Sequence, residues 1–569
     1  MGTAVYVLFA LAHAGEPGAE ATVEPPPDPA DARKVSVTVT DDFEARYWLR
    51  DQRLPDPDDV PIFNYFEQVD RVNVLVASGK WNAKLQVDEV LLGANRYYLD
   101  DVLYVERPLL GPDVYTPFPE GVDLYVNPEK VQVTTERKWG SATLGDAYVA
   151  FGRGVGLNLN RNVDIDIDTS VQGAKVLLRP GAWDVTLAAG TANRQQVFQD
   201  NPNINMSPDL RHKIAGLRAE RFGLGPFNLG AHGVFYDFVR APGFESLGQA
   251  PEADTVVGGA TAEFVGIGGL DGYVEYDAFG YGGDLASDQL PALGHGLYAS
   301  TSAYPGRLVV LGEFKRYFGV ERVNSLLTPE LYEVAVAPTL EYERVILEDT
   351  SAAVNSNDIW GGRVQVDYAA IPGKLVPYVA IAGFRDLDTA GLHFNSVPES
   401  IGHATAGLEW IDGEFGLLTN TGFRYEDRDG GAFGADRLAH VDLSTNFPLP
   451  GDFVGYVSAA SRYFAWGKNG TLQQTPFGDA ETSYTLTWAK KLSATWSLDW
   501  TGNPLALALA TGNVSRTVFT GGELQYKPAR AWTLKAFVGA QKAGIRCSGG
   551  QCRQLPGFDG ARLSAVGTF

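Results

Sequence analysis

Along most of the chain, apolar and polar residues alternate one for one. In the stretch from Trp81 to Asp88 the apolar residues Trp81, Ala83, Leu85 and Val87 interleave with the polar residues Asn82, Lys84, Gln86 and Asp88. A period of two puts one set on each face of an extended strand. The same pattern recurs at 363–368, 493–500 and 532–539. Between such segments, connections alternate short and long. Tight turns marked by Pro and Gly fall at Ser78-Gly79-Lys80, Pro180-Gly181, Gly223 to Pro226, Gly266 to Gly269, Pro305-Gly306, Pro372-Gly373, Asp412-Gly413, Pro450-Gly451 and Pro528-Ala529. Long polar connections fall near 93–130, 152–170, 193–211, 240–254, 282–293, 320–357, 386–401, 427–437, 465–481, 503–517 and 541–560. A strand at 332–345 would break this rhythm. Assigning that segment to the long connection 320–357 restores it, leaves about 24 strands and brings both ends to one side, as in a transmembrane barrel. The predicted fold is all-β: a single transmembrane antiparallel β-barrel with short periplasmic turns and long extracellular loops.

Tryptophan placement supports that reading. Trp81, Trp139, Trp183, Trp410 and Trp532 all stand beside short turns, where an aromatic girdle would anchor the periplasmic rim in headgroups. The chain holds 65 Gly, 29 Phe, 25 Tyr and 11 Trp but only 7 His and 2 Met, a mix suited to strands that are wet on one face and lipid-facing on the other. Mean hydropathy is -0.11, and no stretch approaches the ~20 apolar residues that a spanning helix needs. Alternating strands average near zero, so hydropathy does not count against a membrane.

The longest apolar run, from Ala4 to Ala12, ends in Ala12-His13-Ala14, a small-x-small cleavage pattern. Residues 1–14 therefore read as a signal peptide, and the missing basic residue ahead of the run points to a start further upstream. Residues 15–34, with five acidic residues spaced among five prolines, cannot bury a core and read as a disordered periplasmic tail. Residues 35–569 form the expected barrel. A tail of roughly 20 residues is too short to fill a lumen of this strand number, which argues against an energy-coupled transporter with its own plug. The net charge of -23 excludes ordinary nucleic-acid binding. Cys547 and Cys552, with four residues between them in an exported chain and no further ligands nearby, read as a disulfide closing a small loop.

The segments Leu144 to Gly154, Asp166 to Lys175, Lys315-Arg316-Tyr317, Pro338 to Glu341, Asn357-Asp358 and Cys547 to Arg553 resemble an uncharacterised family of Gram-negative outer-membrane proteins. Alginate-export and porin-type barrels share the general look. The resemblance implies an outer-membrane location, lipid contact and a closing strand whose terminal aromatic, Phe569, is read by the barrel-assembly machinery. It carries no activity.

Motifs for chemistry are sparse. Gly152-Arg153-Gly154-Val155-Gly156 lacks the βαβ context or the Gly-Lys-Ser/Thr ending of a phosphate-binding loop, so its glycines read as a bend at the barrel mouth. Asp164, Asp166 and Asp168 alternate onto one side. They make a weak metal candidate, since an EF-hand's spacing and distal Glu are missing. The histidines show no HExxH spacing and there is no Gly-x-Ser-x-Gly elbow. Neither an enzyme nor a bound cofactor is expected. On polar faces lie Lys84, Gln86 and Asp88; His212, Arg218 and Glu220; Asp271, Glu275 and Asp277; and Arg363, Gln365 and Asp367, as candidates to line the lumen. The expectation is a monomeric channel for passive passage of small solutes, with 93–130, 152–170 and 320–357 as candidate constrictions. The alternatives are a surface-display or structural barrel with a loop-plugged lumen, and an outer-membrane hydrolase.

Overall fold

The computed structural model describes residues 35–48, 65–93, 122–162, 167–195, 212–238, 253–282, 293–320, 333–334, 359–386, 400–427, 437–465, 476–502, 517–542, 544–548, 551–555 and 558–569. The signal and tail segments, Asp164 and Asp166 lie outside these. Every described element is a strand. Twenty-four of them form one closed antiparallel barrel, joined on one flank by the two-residue strand Arg161–Asn162. Closure is made by the first strand, Val35–Trp48, which pairs with Tyr65–Ser78 on one side and with Phe558–Thr568 on the other. Phe569 continues that seam: it exchanges backbone hydrogen bonds with Val39 at 3.0 and 2.8 Å, and its ring meets Trp532 edge-on at 5.2 Å.

Each strand shows opposite environments on its two faces. In Leu270–Tyr281, Val274 and Tyr276 are exposed outward while Glu275 and Asp277 are fully buried inward. In Trp81–Gly93, Trp81 and Leu85 face out while Gln86 and Asp88 are buried. Apolar groups outside and charged groups inside would be unstable in water and are stable in hydrocarbon, where a closed sheet leaves no backbone group unpaired. The outer surface is accordingly lipid-facing.

The rhythm of turns agrees with the sequence reading, with two additions. One turn lies at Lys138-Trp139, between Val122–Arg137 and Gly140–Ala147. The other is at Ala489-Lys490, where both residues take positive φ (49° and 56°), the hairpin geometry usually signalled by Gly or Asn. Loop limits also shift. Three wall strands begin four or more residues inside stretches assigned to loops: Val122–Arg137, Ile167–Leu178 and Phe477–Trp488. In the first, Pro128 looks like a strand breaker but sits at a bulge, since Gln86 pairs with Lys130 and Asp88 with Asn127. A bulge is one of the few places where a sheet tolerates proline. Of the segment 332–345 the described part, Glu333–Val334, pairs not with the wall but with Arg553 and Cys552, in a small sheet with the hairpin Gly544–Ser548 and Gln551–Leu555. In that hairpin Cys547 and Cys552 are direct register partners.

Candidate functional site

The strand Gly140–Ala147 leaves the wall early. Its last register pair is Ala147 with Val171, whereas the neighbouring strand Ile167–Leu178 runs on as far as Asp168 opposite Gln195. Beyond Ala147 the chain turns into the lumen as a small hairpin, Val149–Phe151 paired with Leu157–Leu159. Its tip is Gly152 to Gly156, with Gly152 and Gly154 at φ 59° and 90°, a backbone that side-chain-bearing residues rarely adopt. The chain then rejoins the sheet through Arg161–Asn162.

Val149, Phe151, Val155, Leu157 and Leu159 are all buried, packed on an inner wall that includes Val171, Ile214, Val234, Tyr236, Val257 and Phe279. Each such burial is worth about 1.5–3 kcal/mol, so docking contributes roughly 7–15 kcal/mol, an upper bound because a detached hairpin would not be fully exposed. The largest apolar core of the described residues thus lies inside the barrel, between hairpin and wall. Gly216 is part of the fit: a Cβ there would lie 2.8 Å from the Phe151 ring.

Polar contacts fix the hairpin at both ends. At the base, the Tyr148 hydroxyl donates to Asp168 at 2.6 Å, Lys130 Nζ donates to Tyr148 at 3.0 Å and pairs with Asp168, and Lys175 Nζ donates to the Tyr148 carbonyl at 2.7 Å. Arg161 lies 3.6 Å from the second Asp168 oxygen. Asp168 is therefore neutralised by cations, an environment that opposes its use as a metal ligand. Asp146 beside it accepts from Val131 N–H, Ser170 and Asn193 at 2.7–3.0 Å.

At the tip, the Arg153 backbone N–H donates to Glu275 Oε2 at 2.5 Å, and the Tyr273 hydroxyl donates to the same oxygen at 2.6 Å. The Arg153 guanidinium lies 5.0 Å over the Tyr273 ring. Tyr236 donates to the Gly156 carbonyl at 2.6 Å. Next to Gly156, His232 Nε2 and Asp277 Oδ1 are 2.5 Å apart. Tyr273 is only three residues above the turn preceding Leu270, so the tip reaches low in the barrel. The Gly-rich stretch thus bends deep in the lumen and not at its mouth, because the wall offers apolar cover there.

The other residues singled out from sequence are distributed around the barrel. Asp88 is buried against Arg71, with contacts of 2.8–3.1 Å, and Gln86 donates to it. Lys84 is half-buried on the same face. Arg218 pairs with Glu220 at 3.2 Å and lies 3.5 Å from His232 Nδ1, while His212 is buried. Arg363 pairs with Glu313 at 2.5 Å, and Gln365 donates to Asp367 at 2.9 Å. Asp271 accepts from the Gly266 N–H of its own turn, at the rim. Trp81, Trp139, Trp183 and Trp410 are exposed and Trp532 half-buried, all next to short turns. Of the candidate constrictions, 94–121, 163–166, 321–332 and 335–357 lie outside the described residues.

Far from the hairpin by strand order, the inner wall is polar and half-exposed. Ser444, Ser458, Ser483 and Ser497 stand in direct register across four strands. The sequence reading had no grounds to single out this row, nor His232, Tyr148, Phe151 or Leu157. The available signal was the short alternation Val149-Ala150-Phe151 and Leu157-Asn158-Leu159 flanking the glycines, which marks a hairpin but not the side it folds to.

No family model and no curated protein sequence matches the chain. Among solved structures, the chain is similar to the P pilus usher PapC translocation pore (10% identity, 94% of this chain and 99% of that one, TM-score 0.40). It is also similar to the copper transporter OprC (11%, 94% and 81%, TM-score 0.45) and to the outer membrane protein OpdK from Pseudomonas aeruginosa (10%, 73% and 99%, TM-score 0.34). Likenesses this distant carry no activity across. The closed sheet, its apolar exterior and its turn asymmetry identify the chain as an outer-membrane β-barrel of the Gram-negative kind.

Proposed function

We propose that this barrel is an outer-membrane channel through which small solutes pass by diffusion, across an opening bounded by the inward hairpin on one side and the serine-lined wall on the other. The observation that carries the reading is the one-sided docking of Val149–Phe151 and Leu157–Leu159. The hairpin covers the wall from Ile167 to Phe318, while the row from Ser444 to Ser497 keeps half-exposed hydroxyls. Hydroxyls and alternating charges hydrate a path without holding a solute tightly, and weak, multi-site contact is what conduction requires. In this reading, Lys84, Asp88, Arg218, Glu220, Arg363 and Asp367 set the electrostatics of the lumen, and the Trp residues by the turns hold the barrel at its depth.

Reconstitution in planar bilayers tests the proposal. Stepwise currents from the purified, folded chain are expected. Silence across a range of salts and voltages would instead favour a structural barrel whose lumen the hairpin closes.

A further inference from the structure

We infer that His232, Glu275 and Asp277 form a site for one divalent transition-metal ion, of the kind that takes imidazole and carboxylate together, such as Zn²⁺ or Mn²⁺. All three are buried, and one ligand atom from each lies within 4.8 Å of the others.

The two carboxylates are each half satisfied. Glu275 Oε2 accepts from Arg153 N–H and Tyr273, and Asp277 Oδ1 from His232. Glu275 Oε1 and Asp277 Oδ2 are buried with no hydrogen-bond partner. Buried charge is stable only when paired or metal-bound, and an orphaned buried polar atom calls for a specific cause. A cation between Oε1, Oδ2 and Nε2 supplies one for both oxygens.

The donor set selects the ion. One nitrogen and two carboxylate oxygens suit borderline divalent cations, whereas Ca²⁺ wants six or more oxygens. Zn²⁺ with arms of about 2.0–2.2 Å holds ligand atoms roughly 3.5 Å apart, so the 2.5 Å contact of His232 with Asp277 must open while ligand atoms within 4.8 Å of one another draw together. Ligation at His232 Nε2 displaces the hydrogen now shared with Asp277 and moves the ring proton to Nδ1, which gives up the long contact from Arg218. The wall is shaped for this meeting. His232 and Asp277 are both register partners of Gly259, and a Cβ on Gly259 would overlap both. On the hairpin, a Cβ on Gly156 would come within 2.8 Å of Asp277 Oδ1 and 3.0 Å of His232 Nε2.

Since Glu275 also holds the Arg153 N–H, the ion would pin the hairpin tip to the wall. Metal binding itself is independent of solute passage and is read in detergent without it.

The test is a calorimetric titration of ZnCl₂, then MnCl₂ and CaCl₂, into the metal-stripped, detergent-folded full chain. One Zn²⁺ or Mn²⁺ per chain is expected, with Ca²⁺ much weaker. The double variant Glu275→Gln with Asp277→Asn, and separately His232→Gln, should bind about 10- to 100-fold more weakly or not at all, with heat-dependent gel mobility reporting that each barrel is folded. Hydrogen exchange at 149–159 should slow on Zn²⁺ addition to the native chain. No saturable binding by the native chain overturns the proposal, as does unchanged affinity in folded variants.

Discussion

His232 and Asp277 project from strands two apart and meet at 2.5 Å across Gly259, the direct register partner of both. The glycine between them is a space requirement, since any side chain there would stand where the imidazole and carboxylate meet.

Gly259→Ala should therefore separate the pair. Overpacking of a filled site costs about 1–3 kcal/mol, and the variant should unfold at lower urea concentration with its barrel mobility retained. Gly258→Ala next to it points outward, where nothing lies within 4 Å of an added Cβ, and should leave the urea midpoint almost unchanged. Equal midpoints for the two variants would refute the packing argument.

Phe151→Ala should loosen the hairpin. Removing a buried phenyl ring costs about 3–5 kcal/mol, a large part of the docking energy, so single-channel recordings should show noisier and larger steps. Replacing residues 149–159 by a short Gly-Ser link should widen the opening further and raise the mean step. A conductance equal to the native one in both variants would show that the hairpin does not bound the path.

Tyr148→Phe tests the anchor at the base. The hydroxyl bridges Asp168 and Lys130, and a hydrogen bond to a charged group contributes roughly 1.5–3 kcal/mol. Hydrogen exchange over 149–159 should quicken while exchange in the strand Leu270–Tyr281 stays slow. Uniform quickening throughout the barrel would mean that the contact stabilises the wall and not the hairpin.

Cys547 and Cys552 are opposed in register within their hairpin, but their placement does not support the disulfide expected from the sequence. Both thiols should therefore be alkylated in the unfolded chain without a reductant, whereas a bond between them would block labelling until a reductant is added. Labelling that appears only after reduction would restore the disulfide.

Much of the architecture is legible in the sequence. Strand alternation and the Pro/Gly turns are local, so their period and punctuation appear directly in the chain. The misses are informative in the same terms. The turn at Ala489-Lys490 takes positive φ without the usual residues, so composition concealed it. The strand residues 122–130 were missed around Pro128 because a bulge, which only a partner strand defines, accommodates it. Glu275 and Asp277 could be placed on a polar face by parity, but their meeting with His232 could not be foreseen, because it depends on the registers of two strand pairs at once.

What the sequence by itself determined is a chain of alternating strands joined by short and long connections in turn, which in a membrane can satisfy its backbone only by closing into a barrel. The tertiary structure alone decided that residues 149–159 fold into the lumen, where Phe151, Leu157 and Leu159 find an apolar inner wall. The reason is that the hairpin's own alternation is the same as that of a wall strand. Which way it turns depends on surface assembled from strands up to 170 residues further along, from Val171 to Val320.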